Sequence, residues 1–245
     1  MAELEAPELS FVIPCHNEEG NLRPLTDAIK IAMSSLKMTY EVIITDDCSK
    51  DNSWVLLKEI ARTNFYVRVK RFKYNCGESV ASWAGMLSAR GRFIVTIDAD
   101  LQNDLDDLPK FLEALRSYDC VCGTRVAARH KGDSLIRVLS SRIANSVRNK
   151  MLGENISDAG CTYRAFRREC ISKIKFFRGA QRYLPTLIKM QGFTVTEVPV
   201  RNNPRLFGKA HYGIRNRLWG AIVDVLGMWW IKSRFIHYEI VEEIN

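Results

Sequence analysis

Long apolar runs are missing from this chain: none reaches the roughly 18 residues that a membrane-spanning helix needs. The nearest candidate, Leu218–Ile231 (LWGAIVDVLGMWWI), is short and is interrupted by Asp224. Two readings of it stand open. One is a core or dimer helix; the other is an interfacial helix on anionic lipid, suggested by Arg215 and Arg217 before it and Lys232 and Arg234 after it. The start, Met1–Glu8, is acidic and lacks the basic and apolar stretches of a signal peptide. No CxxC pair occurs among the seven cysteines, which argues against a zinc ribbon or a thioredoxin-like motif. They read as small buried hydrophobes in a reducing compartment. Internal repeats and low-complexity linkers are also absent, so repeat arrays and disorder are not expected.

What remains is 245 residues, 47% hydrophobic and 26% charged, enough to bury a core. The net charge of +8 is unevenly spread. Residues 1–119 hold 14 basic and 19 acidic side chains, and residues 120–245 hold 22 and 9. The basic half should meet something anionic: nucleic acid, a membrane surface or a phosphorylated small molecule.

Short apolar runs alternate with helical patterns through the first 120 or so residues. Strands are predicted over 9–14, 40–45, 67–72, 93–97 and 119–123. Helices are predicted after Asn21 (a candidate cap) and over 53–63, 78–89 and 106–117. The strands are too uniformly apolar for a sheet with one wet face. The pattern therefore predicts an α/β fold with a mostly parallel sheet and helices on both faces. Ligands of such sheets sit beyond the carboxyl ends of the strands, where Pro14, Asp46, Asp47, Asp98 and Asp100 fall.

Asp98-Ala-Asp-Leu-Gln102 carries the most chemistry. Residues two apart at a strand end point to one side, so Asp98, Asp100 and Gln102 can present oxygens to one point. Paired carboxylates suit a hard divalent ion that keeps phosphate in its shell; helix capping is the competing reading. Asp104, Asp106 and Asp107 read as helix-start acids. Asp46 and Asp47 could accept from a base or a ribose, or bond their own turn. Arg137, Ser141 and Asn145 recur at helical spacing within 125–150, where seven basic residues face one acid, Asp133.

Taken in order, FVIPCHNEEGNL (11–22), EVIITDDCSKDNS (41–53), GRFIVTIDADLQNDLDDLP (91–109), CGTR (122–125), ISDAGCTYRAFRRE (156–169) and RYLPTLIKMQGFTVTEVPVRNNPRLFGKAHYG (182–213) resemble family 2 glycosyltransferases. Within that family the resemblance is to the dolichyl- or undecaprenyl-phosphate sugar transferases, over about residues 9–235. It implies a GT-A fold, with a catalytic domain over 1–206 and amphipathic membrane-docking or dimerisation helices over 207–245. It implies an inverting, metal-dependent transfer from a nucleoside-diphosphate sugar to a polyprenyl phosphate. Pro14, Glu18 and Asp46 or Asp47 would contact the nucleotide. Asp98, Asp100 and Gln102 would organise Mg²⁺ or Mn²⁺ and the diphosphate. Arg125, Arg137, Ser141 and Arg205 would gather phosphates, and Asp158 would stand near the acceptor.

The chain departs from the family pattern at Cys15-His16, where Tyr or Thr is common, and at Gly160–Arg164, where Thr-Gly-Phe-Arg is common. Many relatives carry C-terminal membrane helices that this sequence does not include. The resemblance thus implies a peripheral enzyme on the cytoplasmic membrane face that binds anionic lipid and no nucleic acid, with a homo-oligomer as a further expectation. The readings kept beside it are a saccharide or lipid hydroxyl acceptor and a non-enzymatic basic protein: either a nucleic-acid binder or a degenerate partner subunit.

Overall fold

Residues alternate between two cores along every central strand. Phe11 and Ile13 of β1 (Leu9–Cys15) point into one, Val12 into the other; Val42 and Ile44 of β2 (Tyr40–Asp46) part from Ile43 in the same way. All are fully buried, and each such side chain contributes about 1.5–3 kcal/mol. This computed structural model describes residues 6–126, 135–204, 215–236 and Glu242, without the side chains of 135–142, 215–219 and 221.

The other strands are β3 (Val67–Arg71), β4 (Phe93–Thr96), β5 (Cys120–Thr124), β6 (Arg164–Arg167) and β7 (Val195–Pro199). The sheet order is β3-β2-β1-β4-β6-β5-β7. β6 is antiparallel to both neighbours, β4 and β5; the remaining pairings are parallel. The mostly parallel sheet is therefore as expected. The short reversed β6 carried no prediction, because RAFR has too few residues to show a period.

Helices α1 (Leu22–Leu36), α2 (Ser53–Thr63) and α4 (Leu108–Ala114) cover one face, through Leu25, Ile29, Leu57 and Phe111. The other face is covered by α3 (Glu78–Met86), the end of α5 (Leu135–Leu152) and α6 (Leu184–Met190). In α3, Gly85 lies so close to β1 that a Cβ there would stand 2.5 Å from Val12 Cγ1. The last described helix, α7 (Arg215–Arg234), buries Met228 in this second core and leaves Val223, Leu226, Trp229 and Trp230 about half-exposed. Among the described residues, no helix is long and apolar enough to cross a membrane.

Two local expectations need adjustment. Asn21 stands at the N-cap of α1, but its amide donates to Glu18 Oε2 at 2.5 Å and caps nothing. The helix predicted over 106–117 is shorter, a 3₁₀ turn at Leu105–Asp107 followed by α4, which has a proline in its first turn.

The order places the chain's reversal of direction between β1 and β4, where the helices on either side part and leave a crevice. Because β6 runs backwards, the loop before it, with Asp158 and Thr162, reaches the same edge as the ends of β1, β2, β4 and β5.

Candidate active site

Three loops at this edge hold non-glycine residues in the left-handed region: Asn17 (φ 58°), Cys48 (φ 61°) and Leu101 (φ 62°). Such backbone costs energy and persists where neighbours impose it, commonly at binding sites. Here the neighbours are visible. Asn17 N–H donates to Ser49 Oγ at 2.9 Å, and Lys50 N–H donates back to Asn17 Oδ1 at 2.8 Å. Glu18 N–H donates to Ser53 Oγ at 2.9 Å. The loops after β1 and β2 are thereby laced together, with Pro14 at the floor and Glu18 at the rim.

Asp46 and Asp47 are buried and engaged by protein donors. Ser49 N–H donates to Asp46 Oδ1 at 3.2 Å, and Arg71 Nε stands 3.1 Å from Asp46 Oδ2 in an ion pair without hydrogen-bond alignment. Asp47 accepts from Cys76 N–H at 2.6 Å and Gly77 N–H at 2.8 Å, which ties the loop before α3 to this edge. Turn bonding, one of the two readings open for this pair, is thus present for Asp46, while Asp47 bonds a distant segment instead of its own turn.

The DAD segment follows β4. Asn103 closes its loop by accepting from Asp98 N–H at 2.9 Å, and Gln102 N–H donates to Asp100 Oδ1 at 3.2 Å. The Gln102 amide is turned to Asn203 O at 3.4 Å. Asp98 accepts from Thr162 Oγ1 at 2.5 Å. Burial, then the nearby carboxylates of Glu78 and Asp100, push the Asp98 carboxyl up to about 7, against the pull of Thr162 and Arg125. Asp98 retains some solvent-accessible surface. Among the described residues no group of three or more His, Cys, Asp or Glu side chains is gathered to hold a metal ion. A crowded pair of carboxylates nevertheless fits a hard cation that arrives with phosphate, since such ions need one or two protein carboxylates and keep the remaining positions for phosphate or water.

Across the crevice Arg125 follows β5. Its Nε donates to Asp158 Oδ2 at 2.8 Å and its Nη2 to Oδ1 at 3.2 Å, a two-pronged pair. Arg125 N–H adds a third bond to Oδ2 at 3.2 Å. Burial opposes the guanidinium's charge, but Asp158 outweighs it and holds its pKa above the ordinary range. Asp158 is almost fully buried, while Arg125 keeps about a quarter of its surface.

Arg137 and Ser141 lie on α5, one turn apart and N-terminal to Asn145, with side chains outside the described set; Arg205 lies outside the described residues altogether. The structure thus brings Pro14, Glu18, Asp98, Asp100, Arg125 and Asp158 to one edge. Asp104, Asp106 and Asp107, expected as helix-start acids, also surround Arg201, at 3.0, 3.3 and 3.6 Å.

Two residues of this site carried no expectation. Glu78, at the start of α3, is the strongest charge acting on Asp98, and nothing local in the sequence marks it. Thr162 belongs to the segment 156–169, and its approach to Asp98 depends on β6 running backwards.

Comparison with known proteins adds independent findings. Residues 10–175 match the family model described as glycosyl transferase family 2. Dodecaprenyl-phosphate galacturonate synthase of Rhizobium johnstonii is 32% identical over 231 residues, 92% of this chain and 67% of that protein. Undecaprenyl-phosphate 4-deoxy-4-formamido-L-arabinose transferase of Aeromonas hydrophila is 33% identical over 208 residues, 84% of this chain and 63% of that protein. The chain therefore spans about two thirds of the length of these relatives. Among solved structures, glucosyl-3-phosphoglycerate synthase from Mycobacterium tuberculosis, with Mn²⁺, uridine diphosphate and glucosyl-3-phosphoglycerate, superposes with a TM-score of 0.66 at 18% identity, over 94% of this chain and 81% of that one. A mannosyltransferase from Pyrobaculum calidifontis, with GDP-mannose and Mn²⁺, gives 0.62 at 16% identity, over 96% and 66%. At these identities the structural likeness speaks to the fold alone.

Proposed function

The chain belongs to glycosyltransferase family 2, and from that premise we propose that it moves a sugar from a nucleoside-diphosphate donor to a polyprenyl phosphate. The observation that carries the reading is the pairing of opposites across one crevice. A crowded acid centre at Asp98 faces Arg125, whose charge is secured by Asp158. The names of the two sequence relatives support a polyprenyl phosphate as acceptor.

In this reading Pro14, Glu18 and the Asp46–Asp47 turn line the nucleotide end. A divalent cation, Mg²⁺ or Mn²⁺, supplies neutralising charge for the diphosphate, and Asp98 and Asp100 would hold it, with Gln102 keeping the Asp100 carboxylate in place through its backbone N–H. The acceptor phosphate is largely an anion at neutral pH, with a second pKa of about 6, so it needs little help from a base. Its oxygen forms the new bond to the anomeric carbon as the bond to the diphosphate breaks, with inversion. Arg125 meets the phosphate charge, and Arg137, Ser141 and Arg205 are assigned the same work. Asp158 already accepts three donors from Arg125, which makes it a poor base. That geometry disfavours the alternative of a hydroxyl acceptor.

The half-exposed Val223, Leu226, Trp229 and Trp230 of α7, with Lys232 and Arg234 at its end, suit a helix lying on anionic lipid. We assign the enzyme on that ground to the cytoplasmic membrane face.

The test is incubation with short-chain polyprenyl phosphate, Mg²⁺ or Mn²⁺ and a panel of nucleotide sugars, read by mass spectrometry. A lipid phosphate heavier by one sugar, formed only without EDTA, is expected. Transfer to hydroxyl acceptors alone would overturn the assignment.

A further inference from the structure

The loop bearing Asp158 is held on three sides by residues that have no place in the chemistry above. From α5, Asn145 Nδ2 donates to Ser157 O at 2.8 Å, and Asn149 exchanges two bonds with Ile156, at 2.9 and 3.3 Å. From β5, Thr124 Oγ1 meets Ser157 Oγ at 2.7 Å. From β7, the Glu197 carboxylate accepts Ser157 N–H at 2.9 Å and Asp158 N–H at 3.3 Å. Among the described residues Glu197 pairs with no lysine or arginine, so both of its oxygens serve this loop.

The placement gives those bonds a purpose. β5 and β7 are neighbours in register, with Cys122 opposite Glu197 and Thr124 opposite Pro199. β5 therefore delivers Arg125 just beyond its end, while β7 sets Glu197 beside Cys122, three residues earlier. Asp158 hangs between them, gripping Arg125 with its side chain and gripped by Glu197 through its backbone. A charged acceptor on backbone N–H groups is stronger and more directional than a neutral one. A glutamine here would offer one oxygen and turn its NH₂ toward an N–H.

We propose that Glu197 is a positioning residue for the transfer reaction: it fixes the backbone of Ser157 and Asp158, and through Asp158 the aim of the Arg125 guanidinium. The proposal rests on the function assigned above.

The test is a double-mutant cycle on the full chain, Glu197→Gln in the native and in the Asp158→Asn backgrounds, with nucleotide sugar and polyprenyl phosphate. Glu197→Gln is expected to lower kcat/KM for the lipid phosphate by about 10- to 100-fold, the scale that small misplacements carry. Affinity for the nucleoside diphosphate, measured by calorimetry with Mn²⁺, should stay within about 2-fold, since only the acceptor side is disturbed. In the Asp158→Asn background the same substitution should change little, because the relay is already cut. Equal losses in both backgrounds, or equal loss of donor affinity, would overturn the relay. Failure of the functional reading looks different: the wild-type protein would use another acceptor, on which the cycle can be run unchanged, or none. With no turnover at all, hydrogen exchange of the Arg125 Nε–H decides: faster exchange in Glu197→Gln supports the relay, and unchanged exchange refutes it.

Discussion

Glu41 and Asp98 are carboxylates set at opposite strand ends of the same sheet, and their surroundings are opposite in kind. Glu41, near the start of β2, accepts from Ser10 Oγ at 2.7 Å, Arg68 Nη1 at 2.6 Å and Arg90 N–H at 2.7 Å. Burial works against its charge, yet these donors outweigh it and hold its carboxyl below the ordinary range. Asp98 has Thr162 as a side-chain donor and Glu78 and Asp100 as acidic neighbours, and its carboxyl is pushed up to about 7. A carboxylate saturated with donors ties strands together. One crowded by other acids is held by the fold in a state that a bound cation would relieve, which marks Asp98 as the candidate for a cation site.

That comparison can be broken in order of expected effect. Asp100→Ala should lower transfer by about 10²- to 10³-fold, roughly 3–4 kcal/mol of lost electrostatic stabilisation, while thermal unfolding stays near that of the native protein. A steady-state assay beside a melting curve checks both halves, and an active variant in the presence of EDTA would remove the metal assignment. Glu41→Ala should do the reverse: loss of about 3 kcal/mol of folding stability by urea titration, since three donors lose their partner, with activity of the folded fraction kept. Arg125→Lys replaces the two-pronged pair with a single contact. Its expected cost is about 100-fold in use of the lipid phosphate, with donor affinity preserved, as separate titrations would reveal.

The smallest effect is in acid. A carboxyl whose folded pKa is depressed adds stability that is present above its unfolded value, about 4.3, and lost as pH falls through the folded value. Native protein should therefore lose stability more steeply below about pH 5 than Glu41→Gln does. Parallel slopes in urea titrations would show that Glu41 carries no such share.

Local physics makes much of the fold legible. Five strands and the helices between them were legible from runs such as FIVTI and from helical spacing, and most boundaries held within a residue or two. Asp98 and Asp100 were legible as a pair because two residues at a strand end share a side whatever the rest of the chain does. Asp46 and Asp47 show the limit. Two carboxylates at a strand end look equally ready for a ligand, but Arg71, Cys76 and Gly77 hold them from segments 25 to 30 residues away.

The charge division between an acidic first half and a basic second half, the alternating pattern and the DAD spacing follow from the sequence alone, because they depend on composition and on backbone periods. Only the tertiary structure could bring Arg125 to Asp158 across 33 residues, Thr162 to Asp98 across 64 and Glu197 to the Asp158 loop across 39. Those meetings hinge on one reversed strand of four residues, β6. Its direction is set by which edges its neighbours leave open, and a segment that short carries no periodicity from which the direction could be read.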